Sequence, residues 1–405
     1  IKMNKLISIA AAAALMFTAA PAAYSYAADK TDSAALSFTV ENKQVCITGC
    51  KSSIKELVIP EKLNDMPVTS IGENAFKGNK DISSCFIPDS VKSIDEWAFA
   101  ACPELANVTI GSGVSSIGAY SFSACSKLSS INVSKDNPNY SAVDSCLYNK
   151  SGDTLLAYAG GINAAIPDKT KTIGKGAFFG RENITSVSIP KTVTAIESNA
   201  FSGCLSLRSV DIPDSVKSIG QGCFISCNAL SRVSLSASMT SIPESCFYSC
   251  TALNNIVIPN NITSLGKDAF YSCASLSGIY IPKTVTAIDE NAVGRRYDTR
   301  TSSYENIPSF VIKGEKGSAA EKYAADCGLI FGTRIFQKGD VTGDGVIDAV
   351  DASTVLAEYA LISTNNPSSF NVEQNISADY DGNGTANAVD ASLILAKYAE
   401  NAVKH

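Results

Sequence analysis

Phenylalanine beats time along the middle of the chain. It recurs at Phe76, Phe99 and Phe122 and again at Phe178, Phe201, Phe224, Phe247 and Phe270, with Val293 closing the series; every step is 23 residues except one of 56. An isoleucine or leucine stands five residues ahead each time, at Ile71, Ile94, Ile117, Ile173, Ile196, Ile219, Ile242, Leu265 and Ile288. One turn reads nearly whole from Phe201 through Cys204, Leu207, Val210, Ile212, Pro213, Val216 and Ile219. Val210 and Ile212 fall on one face of a short strand by the two-residue alternation, and Pro213 supplies a tight return. A single turn cannot bury its own apolar positions, so neighbours must stack and the expected product is a solenoid of short parallel strands in 23-residue turns.

Spacing and pattern resemble the BspA-type leucine-rich repeats of bacterial surface and secreted proteins, over residues 35 to 335. The array is expected over 71–335, preceded by an N-terminal hairpin cap and first turn over 28–70. The long step contains NPNYSAVDSCLYNKSGDTLLAYAGG, whose alternation around Ser151-Gly152-Asp153 predicts a hairpin insertion near 133–165. GEKGSAAEKYAADCGLIF, near 314–331, predicts a closing cap.

Cysteine follows the repeat. Cys102, Cys125, Cys204, Cys227, Cys250 and Cys273 share one slot, Cys223 and Cys246 precede the phenylalanine, and Cys85 stands where Val108 and Val210 stand. Equivalent stacked positions send side chains along parallel vectors, which bridges poorly, so the expectation is a ladder of buried thiols acting as small hydrophobes. Cys46 and Cys50 are the one pair worth testing for a disulfide. The outward strand positions Thr109, Ser188, Asp211, Ser234, Val257 and Tyr280 are mostly small and polar and offer no row of aromatic faces for sugar. Tyr248 and Tyr271, with Phe179 in the same slot, read as a partly buried flank or as a ligand strip.

After Phe336 the text changes to GDVTGDGVIDAVDASTVLAEYA and later repeats as ADYDGNGTANAVDASLILAKYA. Each half carries oxygen side chains at loop positions 1, 3, 5, 9 and 12 and glycine at 6, followed by an apolar helical pattern. Calcium takes six to eight hard oxygen ligands, and the glycine permits the sharp turn that wraps the loop about the ion. The candidates are Asp340, Thr342, Asp344, Asp348 and Asp351 with the Val346 carbonyl, and Asp379, Asp381, Asn383, Asn387 and Asp390 with the Thr385 carbonyl, for two calcium ions in all. Thr342, a neutral hydroxyl, is the weak ligand of the first loop.

Position 12 is Asp, and each loop precedes a helix with none obvious before it. This pair resembles a type I dockerin, a small all-α module with two calcium loops, over 338–402. The resemblance implies binding to a cohesin of a scaffoldin through loop positions 10 and 11 and the first helical turns: Ala349, Val350, Ser353 and Leu356 in one half, Ala388, Val389, Ser392 and Leu395 in the other. For Leu356 and Leu395 a core position is an open alternative. Close seating of the module against the array's end is expected, because the connection is short and has no Pro, Ser or Thr run.

At the other end, Lys2 and Lys5 precede an apolar run from Leu6 to Ala20, and Ser25 and Ala27 occupy small-residue positions, the layout of an export signal over 1–27. The run is too short to span a bilayer. Charge narrows the partners. The chain carries a net −6, and from Gly339 onward ten acidic residues face two basic ones, so the rest is about neutral and no basic field exists for nucleic acid. The only histidine, His405, ends the chain, which removes imidazole-based mechanisms and His-built zinc sites. Asp95, Glu197 and Asp289 fall on polar turns without a paired spacing for glycoside hydrolysis. The expectation is a secreted, non-catalytic binding protein of an extracellular polysaccharide-degrading complex, with the solenoid recognising a protein or surface. A scaffold-anchored adhesin is the alternative, and a hydrolase of the complex a weaker one.

Overall fold

The computed structural model describes residues 33–298, 300–332, 338–342, 347–364, 366–370 and 372–403. The export signal expected over 1–27 lies outside the described residues. The described chain builds a solenoid of about 12 turns with a small helical module behind.

A regular 23-residue turn contributes two short parallel strands, one on either face, though the turn through Asn255 and Ile258 has a strand on one face only. On one face Ser84, Asn107 and Ser130 stand opposite one another in successive strands, and further along Ser186, Ser209 and Arg232 do the same. On the other face the Ser-Ile or Ala-Ile pairs align, as in Ser70, Ser93 and Ser116. Inward residues such as Val108, Ile110, Val210 and Ile212 are buried, as the alternation predicts. The phenylalanines form a stacked column between the faces: Phe201, Phe224, Phe247 and Phe270 lie 5.3, 5.4 and 5.3 Å apart, centroid to centroid. Their amides bond turn to turn, for instance Phe178 N–H to the Ala200 carbonyl at 2.8 Å and Phe224 N–H to that of Cys246 at 2.8 Å.

The shared cysteine slot satisfies this corner. Cys102, Cys125, Cys204, Cys227, Cys250 and Cys273 each turn a thiol toward the carbonyl of the phenylalanine 26 residues earlier, at 3.1–3.3 Å. The thiol is thus a small hydrophobe with one weak donor used. Burial pushes the Cys204 and Cys250 thiols up to about 12. All 13 cysteines are free, including Cys46 and Cys50. These two lie on one strand, Gln44–Cys50. Four residues of extended chain separate their Cα atoms by roughly 13 Å, about twice what a disulfide spans.

The 56-residue step interrupts the sheets of both faces. On one, a sheet ends with the strand Ser130–Val133 and a second begins with Asn163–Ala165. On the opposite face the ladder that ends at Ser116–Ile117 is followed by a new sheet, in which three inserted strands, Tyr140–Val143, Cys146–Asn149 and Thr154–Ala157, lead into Thr172–Ile173 and the regular ladder. At the corner the ladder skips the insertion: Ala124 N–H donates to the Phe179 carbonyl at 2.8 Å. Arg181, in the cysteine slot of this turn, is 2% exposed. Its guanidinium donates to the carbonyl of Cys125, to that of Leu128 at 3.0 Å and to that of Gly160 at 2.7 Å. The guanidinium lies over the Tyr158 ring at 5.7 Å, and in the same turn Phe179 sits edge-on to Trp97 and Tyr120, which stack at 4.4 Å.

The far end closes on helix α1 (Ala319–Cys327), which ends at Gly328 in the left-handed region. The Tyr323 hydroxyl donates to the Val293 carbonyl at 3.0 Å and accepts from its N–H at 3.2 Å, which ends the corner ladder. The helical module comprises α2 (Ala349–Ser363), α3 (Val372–Ala378) and α4 (Ala388–Val403). Val341, Ile347, Ala352, Val355, Phe370, Ala378, Ala391 and Ile394 make its own core. It meets the array at Asn255, whose Nδ2 donates to the Phe370 carbonyl at 3.4 Å.

Candidate functional site

The second acidic loop draws its carboxylates together. Asp379, Asp381 and Asp390 each offer an oxygen within 4.8 Å of the others. Backbone amides hold the two buried ones in place. Asp379 accepts from Gly382 and Gly384 N–H, both at 2.9 Å, through a turn in which both glycines have positive φ. Asp390 accepts from Asp381 N–H at 3.1 Å and Asn387 N–H at 2.9 Å. Burial, and then the charge of Asp390, pushes Asp379 up to about 6; burial also raises Asp390. Crowded carboxylates of this kind are stabilised by a cation among them.

Around this cluster Asn383 turns its Oδ1 to Thr385 N–H at 2.8 Å, and the Thr385 carbonyl accepts from Asn387 Nδ2 at 3.1 Å. Asn387 Oδ1 also takes Val389 N–H at 2.7 Å, so the same side chain starts α4. The donor set is hard oxygen throughout, the chemistry calcium takes.

The first loop repeats the frame. Asp351 is fully buried and accepts from Val341 and Thr342 N–H at 2.8 and 2.9 Å and from Asp348 N–H at 2.9 Å. Asp348 in turn accepts from Val350 N–H at 2.7 Å, a capping box that opens α2. Asp340 is half-buried and Thr342 exposed. Asp344 and Val346 lie outside the described residues. Among the described residues no second cluster of three acidic groups forms in this loop.

Helices α2 and α4 pack together through Ala352, Val355, Ala391 and Ile394 and turn their other face outward. Ala349, Val350, Ser353 and Leu356 are exposed on α2, and Ala388, Val389, Ser392 and Leu395 on α4. Val350 and Val389 are each 56% exposed, Leu356 44% and Leu395 42%. The two leucines are therefore surface residues, and the core alternative falls. Tyr359, Tyr398 and Leu393 are exposed on the same helices and were missed. The two tyrosines were legible, three residues beyond each leucine and so on the same helical face. In the array, Tyr248 and Tyr271 stack at 5.1 Å with Tyr271 buried, while Phe179 packs separately against Trp97 and Tyr120.

A sequence profile described as "BspA type Leucine rich repeat region" matches in six copies over residues 43–153 and 171–297, more than half of the chain, and one described as "Dockerin type I domain" matches residues 338–398. A search of curated proteins finds no significant match. Among solved structures, the chain is similar to a leucine-rich repeat protein from Eubacterium ventriosum, with 21% identity, TM-score 0.44, and 64% of this chain and 89% of that one covered. It is also similar to a leucine rich cell surface protein from Faecalibacterium prausnitzii, at 24% identity and TM-score 0.38, covering 72% and 95%. A third likeness is to the pneumococcal vaccine antigen PcpA, at 14% identity and TM-score 0.40, covering 76% and 98%. Type I dockerins typically bind calcium and imply a cohesin partner. The chain belongs to the BspA-type leucine-rich-repeat family and ends in a type I dockerin domain.

Proposed function

We infer that this is an exported, non-catalytic recognition protein that two calcium ions fold into a cohesin-binding state at its C-terminal end, fastening it to a scaffoldin of an extracellular polysaccharide-degrading assembly. The solenoid then presents a surface to a protein or cell-surface partner. The calcium ligands would be Asp340, Thr342, Asp344, Asp348, Asp351 and the Val346 carbonyl in one loop, and Asp379, Asp381, Asn383, Asn387, Asp390 and the Thr385 carbonyl in the other. Calcium supplies the positive charge that lets these oxygens converge, and the chain's own residues do the rest by turning the start of each helix outward.

One observation carries the reading: the duplicated set Ala349, Val350, Ser353, Leu356 and Ala388, Val389, Ser392, Leu395 is exposed in both halves, while Asp351, Ala352 and Val355, and Asp390, Ala391 and Ile394, are buried. Two equivalent apolar faces allow a cohesin to seat in either of two orientations. Calorimetric titration of the full chain with a type I cohesin tests this. Val350→Asp or Val389→Asp alone removes one orientation and costs about twofold in affinity, RT ln 2. The double variant, or wild type in chelator, loses binding. A double variant that binds as wild type, or binding that ignores chelator, overturns the reading. Among the described residues no helix is long and apolar enough to cross a membrane.

A further inference from the structure

The break in the array leaves an unpaired strand edge. Asn163–Ala165 is the first strand of its sheet and pairs on one side only, with Ser186–Ser188. The bonds to that neighbour run through Ile162, whose carbonyl takes Thr185 N–H at 2.8 Å, and Ile166, whose N–H donates to the Ser188 carbonyl at 3.3 Å. In a parallel ladder alternate residues point to opposite sides, so the N–H and C=O of Asn163 and Ala165 face away from the sheet. Among the described residues they have no backbone partner. The strand that ends the preceding sheet, Ser130–Val133, does not fill the gap, because its own outer edge is met by the inserted hairpin, Ile131 N–H donating to the Ser145 carbonyl at 2.7 Å.

A cavity of about 330 Å³ opens along this edge, lined by Asn163 and Ala165 themselves, walled by Cys146, Tyr148, Leu155 and Tyr158, and with Asp144 as its one carboxylate. That volume lies at the lower end of the range for ligand pockets. Ile162, just ahead of the strand, is an exposed large apolar side chain.

We propose that this slot binds an extended polypeptide segment, which adds a strand to the free edge of Asn163–Ala165 and places one bulky apolar side chain in the cavity. A row of alternating donors and acceptors is matched by another peptide backbone, and a pocket beside the row selects a side chain; together these are the two elements of strand addition. Small hydroxylated ligands would match neither the spacing of the edge nor the apolar wall. The proposal rests on the reading of the array as a protein-recognition module and assigns it a place and a ligand chemistry.

The test selects short random peptides on phage against the full chain, then titrates an enriched peptide by fluorescence anisotropy. The peptide is made twice, once unmodified and once N-methylated at alternate amides. The receptor is wild type or Ala165→Pro, a change that removes one outward N–H at an edge position where proline is tolerated. The expected result is a loss of about tenfold or more for either change, the share of one or two backbone hydrogen bonds. The N-methylated peptide keeps the test valid if Ala165→Pro fails to fold. Equal binding of the methylated peptide, or unaltered binding to a folded Ala165→Pro, overturns the slot while leaving the recognition reading standing. Failure to enrich any peptide overturns the slot too, and the cohesin titration judges the C-terminal reading independently.

Discussion

Replacing Arg181 by the consensus cysteine of its slot should destabilise the protein, although consensus substitutions usually stabilise. Arg181 is buried, and its guanidinium serves three carbonyls, those of Cys125, Leu128 and Gly160, of which Cys125 also accepts Leu128 N–H at 3.1 Å. A thiol donates once, and at the other slots it reaches the phenylalanine carbonyl of the preceding regular turn. At 181 it would leave the Leu128 and Gly160 carbonyls without the guanidinium and Cys125 with its Leu128 N–H alone. Each buried unpaired carbonyl costs about 1–3 kcal/mol, partly offset because the buried guanidinium is no longer desolvated, so for two such carbonyls a net loss of about 2–4 kcal/mol is expected. Burial already lowers the Arg181 pKa, the mark of that desolvation.

The site also joins two hydrophobic cores, one reaching to Leu128, Ile131, Leu147 and Ala159 and the other starting at Cys146, Tyr148 and Leu155. Urea denaturation of Arg181→Cys, followed by circular dichroism, should show the transition of the wild-type array splitting in two, since a solenoid is held by nearest-neighbour interfaces. Arg181→Met, of similar volume, should behave the same way. A single transition within about 0.5 kcal/mol of wild type for either variant would refute the reasoning, since that is the range of an indifferent surface change.

Three other outcomes are expected from the same geometry. In Gly176→Ala the new Cβ would meet the Tyr120 ring at 2.3 Å in a residue with φ of 66°. A loss of about 2–4 kcal/mol is expected, with a shift in the emission of Trp97, the only tryptophan and the ring stacked on Tyr120; unchanged emission and melting would contradict it. Thiol titration of the native chain should count the three half-buried cysteines, Cys46, Cys50 and Cys327, with all 13 reacting in denaturant. Because Cys204 and Cys250 stand at about 12 against an ordinary 9.0, only the unfolded chain ionises there. Stability is thus full below pH 9 and falls as pH climbs toward 12, and a flat alkaline limb would count against buried thiols. Finally, Asp390→Ala strands the amides of Asp381 and Asn387 and removes one of three clustered carboxylates. Calorimetry should show the calcium stoichiometry of the full chain drop by one ion, and an unchanged count would remove Asp390 from the site.

The sequence alone determined the repeat, its short strands and the stacking of turns, because a 23-residue period constrains the same side chains in every turn and the stack multiplies one local rule; the second strand face and the stacked phenylalanine rings came with the structure. It also marked the acidic loop in which Asp379, Asp381 and Asp390 converge, since oxygen side chains at fixed loop spacings are readable without coordinates. It left Leu356 and Leu395 open, because their helical spacing suits a core and a surface equally, and only the direction in which α2 meets α4 turned them outward. Tyr359 and Tyr398 could have been read with them. Arg181 could not: an arginine in a cysteine slot looks like an exposed substitution until the 56-residue step brings the carbonyls of Cys125, Leu128 and Gly160 around it. The thiol contacts to the phenylalanine carbonyls, the contact of the dockerin with Asn255 and the open edge at Asn163–Ala165 likewise needed the tertiary structure. Each depends on which backbone groups remain unpaired after the turns have stacked, and that is a property of the assembled array.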